Sequence, residues 1–162
     1  MSPVINTFVL ARVFHVLGVI VWIGGVAMVT LVILPSVRRI EDVERRVSLF
    51  EAIEGRFTYF AQASVIVVGL SGLYLLYRMN AWGLFYSLSH WYLHAMVLIW
   101  TVFALVLFVL EPLVLHRYFH ERARREPERV FRWMTLMHVV LLTMSLMTVA
   151  GAVAGSHGYY LF

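Results

Sequence analysis

A chain of 162 residues that is 62% hydrophobic and 14% charged, with a mean hydropathy of +0.84, is no water-soluble domain. Its net charge of +4 carries no lysine, and eleven of its thirteen arginines fall in two segments, 35–56 and 116–132, which is the signature of membrane loops and not of a nucleic-acid face. The absence of cysteine excludes disulfides, thiolate metal sites and thiol catalysis.

A spanning helix needs about 20 largely apolar residues, and four stretches qualify: about 4–34, 57–79, 91–115 and 131–154. They predict an all-α integral membrane protein, a single domain over 1–162, folded as an up-down bundle of four transmembrane helices. Arginine-rich loops stay cytoplasmic, so both termini are expected on the outer, periplasmic side of a bacterial inner (cytoplasmic) membrane. The first apolar run is too long for a removable leader and continues through Val, Leu and Ile after Ala27, so it reads as a helix of the mature protein.

Ser2-Pro3 offers a start for the first helix, because proline suits a first turn. After Pro35, Ile40, Val43, Val47, Phe50 and Ile53 recur at steps of three or four. That period fits a helix lying along the membrane surface, or equally a cytoplasmic extension of the first span. The second span carries Gly69, Ser71 and Gly72 in its outer half, and Asn80, Gly83 and Ser87 mark an external turn among interfacial aromatics. The third span runs to Glu111-Pro112, where proline should kink or end it. A charged cytoplasmic loop follows, then the fourth span, with Gly151 and Gly155 near its outer end.

An ionisable residue inside a span is costly and is a functional-site hypothesis in its own right. The first helix has two, Arg12 and His15, one turn apart. At about 1.5 Å of rise per residue His15 lies about 10–16 Å below the outer surface, and His94 about 8 Å. The two imidazoles, from separate helices near one depth, match the axial ligation of a haem iron in the core of a four-helix bundle. Gly18, Gly69, Gly72 and their small neighbours Ser71, Gly151, Ala152 and Gly155 would make room for the macrocycle, although small residues also serve close helix packing. Arg12 and Arg78 are the two outer-side arginines and suit the haem propionates. Snorkelling to lipid phosphates suffices for Arg78 and suits Arg12, deeper in its span, less well. His90 and His157, at the outer rim, stay open beside His94 as second ligand.

In the inner half, Glu111 and His138 each lie six residues from a boundary arginine, so a hydrogen-bonded pair could form a proton relay or a quinone-side acid and base. His116 and His120 belong to the basic loop. Met96, Met134, Met137, Met144 and Met147 raise a copper path, since thioether and imidazole suit Cu(I). Ordinary core packing explains the same methionines.

The motif Arg12-x-x-His15-x-x-Gly18-x-x-x-Trp22-x-x-Gly25 resembles the first helix of the copper-resistance protein D (CopD) family and of the related HemJ-type protoporphyrinogen oxidases, and Trp91-Tyr92-Leu93-His94 is similar to the step that opens the corresponding HemJ-type helix. The resemblance implies a haem-binding or copper-linked bundle, with His15 at the family's first-helix histidine. Met96 stands where the HemJ type has a lysine, and an Asn-Glu-x-Pro pattern is missing from the last helix, so the CopD-like relative is the better match.

These readings converge on a membrane-embedded b-type haem protein with His15 and His94 as metal ligands. Arg12, Arg78, Gly18, Gly69 and Gly72 would complete the cofactor site. The expected function is electron transfer linked to a quinone or another membrane redox partner, with no nucleic-acid partner and with room for a homo-oligomer. A HemJ-type oxidase, a CopD-like copper transport protein and a purely structural subunit are the alternatives.

Overall fold

The computed structural model describes residues 6–115, 122, 123 and 125–159. Four long helices make up the bundle: α1 (Thr7–Val37), α2 (Val43–Arg78), α3 (Trp91–Leu105, continued by a π-wound segment Val106–Leu115) and α4 (Pro127–Ser156). All four are long and apolar enough to cross a membrane. The candidate start at Ser2-Pro3 lies outside the described residues. Within them, Asn6 caps α1, its side chain accepting from the amides of Phe8 and Val9.

The inner segment is neither a separate surface helix nor an extension of α1. α1 stops at Val37, a short turn follows, and Asp42 caps a single helix that runs unbroken to Arg78. The repeat from Val43 to Ile53 is therefore the first three turns of the second span.

Neither membrane proline ends its helix. Pro35 follows a π-wound stretch, Val29–Ile33, and Pro112 lies inside the π-wound Val106–Leu115. A proline ring collides with the carbonyl four residues before it in an α-helix, and local widening of the winding lets the chain carry it. Asn80 takes a left-handed conformation, φ 49°, after the end of α2, which asparagine tolerates better than most residues. Two 3₁₀ turns, Ala81–Tyr86 and Leu88–His90, then lead into α3.

α1 packs along α2 and α3 along α4, with slighter contacts joining the two pairs. Thr7 at the start of α1 shares a hydrogen bond with Tyr74 near the end of α2, and Tyr92 of α3 lies against Gly155 of α4, so both described ends of the chain are at one end of the bundle. The described residues of the arginine-rich segments are at the other. There Arg46 is buried: its guanidinium donates to the Ile40 carbonyl and to Glu128 at 2.6 Å, and faces the Phe131 ring. It ties the α1–α2 turn to the start of α4.

Large apolar side chains such as Phe14, Ile20, Leu70 and Val140 stand exposed on the outside of the bundle, as a lipid-facing surface requires. The chain is an integral membrane protein. Inside are two apolar clusters. One, around Trp22, Val65, Val68 and Phe103, fills the middle, and the other, around Leu34, Val47, Phe50 and Phe131, fills the basic end.

Candidate functional site

The motif on α1 is a stripe at helical spacing that forms the seam with α2. A methyl group on Gly18 would stand 2.8 Å from Val68 Cγ2, and one on Gly25 would collide with the Phe57 ring. Trp22, between them, is buried edge-on against Phe103 with 4.8 Å between ring centroids. His15 belongs to the same seam. Its Nδ1 lies 3.1 Å from the Val68 carbonyl and 3.1 Å from Ser71 Oγ. Because the Val67 and Val68 carbonyls take the Ser71 hydroxyl proton, Nδ1 carries the hydrogen and donates to Val68. The tautomer that follows leaves Nε2 with its lone pair, and among the described residues nothing donates to it. Gly72 makes the approach feasible, since a methyl there would be 3.1 Å from His15 Cε1.

The remaining predicted site residues have other surroundings. Gly69 lies under the indole of Trp100, whose Nε1 donates to the Val65 carbonyl at 2.8 Å. Gly151 and Gly155 are likewise covered, by Trp91 and Tyr92. Gly69, Gly151 and Gly155 are thus the flat places on which aromatic side chains of α3 lie. His94 is exposed at the first turn of α3, edge-on to Phe85 with 5.2 Å between centroids. Arg12 and Arg78 are exposed as well. His90 stacks at a tilt on Tyr92, and His157 bonds back to the Val153 carbonyl at the exposed end of α4. His116 and His120 lie outside the described residues.

A cavity of about 520 Å³ opens between the two apolar clusters, in the half of the bundle nearer the arginines. Trp22, Phe57, Phe103 and Leu107 wall it, Glu54, Thr58, Glu111 and His138 supply polar groups in its middle, and Arg122, Glu126 and Arg129 lie at its basic end. Glu111 and His138 therefore share a chamber but not a hydrogen bond. Glu111 accepts from Thr58 Oγ1 at 2.7 Å, and His138 Nδ1 bonds to the Met134 carbonyl one turn back on its own helix. Glu54 has no hydrogen-bond or ion-pair partner among the described residues. The π-wound segment carries Glu111, and such windings recur at functional sites.

Sequence reasoning did not single out Glu54, Thr58 or Arg46. The first two stand four residues apart, with Ala61 three further on, so one face of α2 turned inward could have been drawn had the helix been extended back through Glu54. Arg46 gave no such signal, for its burial depends on α4.

Among the described residues no group of three or more His, Asp or Glu side chains is placed to hold a metal ion. Met134 and Met137 line the cavity. No family model, curated protein or solved structure matches the chain.

Proposed function

We propose that the chain is a membrane-embedded electron carrier that holds a b-type haem through His15 and exchanges electrons with the quinone pool. One observation carries this reading: His15, inside a span, has Nδ1 held by a backbone carbonyl and Nε2 left uncommitted. A histidine that ligates a metal nearly always has its other ring nitrogen fixed by a carbonyl or carboxylate, which sets the tautomer and aims the ring. His94 is the second ligand in this reading, and Arg12 and Arg78 reach the propionates. The ligand atom fits. The outer half is packed, because Trp100, Trp91 and Tyr92 cover Gly69, Gly151 and Gly155, so binding a macrocycle there requires those rings to move. The haem supplies the redox chemistry, while the chain supplies a ligand, burial and two cations.

The test is a reduced-minus-oxidised visible spectrum of the purified protein, with haem quantified per chain. About one haem per chain with the two-banded spectrum of a six-coordinate b-type centre is expected. His15→Ala should abolish it and His94→Ala should convert it to a five-coordinate spectrum. Haem retained in full by the His15→Ala protein would overturn the assignment.

A further inference from the structure

We propose that the inner cavity is a binding site for a lipid-soluble hydroquinone, a neutral aromatic ring bearing two hydroxyl groups and an apolar tail. The choice of a redox ligand rests on the electron-transfer reading above, whereas the chemistry of the cavity stands apart from it.

At about 520 Å³ the cavity lies within the range of small-molecule sites, which are walled by apolar and aromatic side chains and carry a few placed polar groups. Away from the basic end, where Arg122, Glu126 and Arg129 lie, the polar groups are mostly acceptors. Glu54 of α2 has no partner among the described residues. Glu111 of α3 commits Oε1 to Thr58 and keeps Oε2. His138 of α4 uses Nδ1 toward the Met134 carbonyl, which fixes the hydrogen there and leaves the lone pair on Nε2. Three helices thus bring acceptors to one apolar chamber. A buried donor accompanies them, the indole N–H of Trp22, which has no hydrogen-bond partner among the described residues.

Unpaired polar groups in a membrane interior are costly, and the ligand that satisfies these must donate protons at more than one point. A fatty acid or a phosphate is drawn to Arg122 and Arg129 at the basic end and, being an acceptor, leaves Glu54, Glu111 and His138 without a donor, and a plain hydrocarbon leaves them unpaired as well. A lipophilic cation answers the carboxylates, but Arg122 and Arg129 line the basic end of the same cavity and oppose a second positive charge. A hydroquinone is neutral. Its hydroxyls donate to the carboxylates or the imidazole and accept from the indole, while ring and tail lie against Phe57, Phe103 and Leu107. The oxidised quinone can only accept, so the cavity discriminates in favour of the reduced form.

Binding is measured by equilibrium dialysis under anaerobic conditions, with purified full-length protein in detergent and a decyl-substituted benzohydroquinone as probe. Saturable binding of one molecule per chain is expected. The dimethyl ether of the same probe, lacking both O–H donors, should bind at least tenfold more weakly to unmodified protein, a comparison that no folding defect can imitate. Glu54→Ala and Glu111→Ala should each weaken hydroquinone binding about tenfold, the value of one lost hydrogen bond. The proposal fails if the hydroquinone does not saturate, if its ether binds equally well, or if tetraphenylphosphonium binds more tightly than either. Haem-loaded protein without hydroquinone binding would sink this site alone. Haem-free protein that binds as described would sink the electron-transfer reading and leave the site standing.

Discussion

Gly69→Ala tests the contact between α2 and α3 directly. A methyl at position 69 would stand 2.6 Å from Trp100 Cζ2, 2.8 Å from Cε2 and 2.9 Å from Nε1, which is the body of the indole and not the tip of a flexible chain. The ring cannot slide away freely, because its N–H is bonded to the Val65 carbonyl at 2.8 Å. Overpacking of this kind costs about 1–3 kcal/mol, and losing the indole hydrogen bond adds about 1 kcal/mol. Replacing glycine by alanine inside a helix returns about 1 kcal/mol. The net destabilisation expected is about 1–3 kcal/mol, or a fall of about 3–9 °C in melting temperature for a chain of this size. Gly24→Ala is the control, since a methyl there meets nothing within 4 Å and should leave stability unchanged or slightly raised. Thermal unfolding of both variants in one detergent, followed by circular dichroism, gives the comparison. If Gly69→Ala melts at or above Gly24→Ala, the indole does not rest on that glycine and the α2–α3 packing argued from it is wrong. The double variant Gly69→Ala, Trp100→Phe should recover part of the loss, and strict additivity would speak against contact.

Arg46→Ala should cost about 2–4 kcal/mol in the same assay, since it removes a buried guanidinium that joins two segments. Arg46→Lys should rescue little of that, because one ammonium cannot span the Ile40 carbonyl and Glu128 together, and a lysine variant as stable as the parent would contradict the clamp. Glu128→Gln, which keeps an acceptor oxygen for Arg46 on a side chain 63% exposed, should by contrast cost less than Arg46→Ala. Gly72→Ala should displace the His15 ring and reduce haem per chain several-fold while Gly24→Ala leaves it unchanged; equal haem in both would detach His15 from that cofactor. Asn80→Val should lower stability by about 1 kcal/mol because a β-branched residue resists the left-handed conformation, with Asn80→Gly neutral by comparison. A valine variant that melts with the parent would show that the turn relaxes.

Composition and hydropathy alone determined the four spans, their bilayer setting and the grouping of arginines at one end, because a spanning helix must satisfy its own backbone and bury about 20 apolar residues whatever its neighbours do. The stripe from His15 to Gly25 was legible too, as a periodicity. What it faced was not: small residues at helical spacing fit a cofactor bed and a helix seam alike, and only the approach of α2 and the aromatic side chains of α3 decided that Gly18 meets Val68, Gly69 carries Trp100 and Gly72 admits His15. The junction at residues 38–42 was equally tertiary, since the apolar repeat after Pro35 suits a helix joined to either span and the cap at Asp42 gives it to the second. The cavity belongs wholly to the fold. Glu54, Glu111 and His138 come from three helices, and no spacing within one chain segment encodes that two apolar clusters pack without merging and leave these groups facing the gap between them.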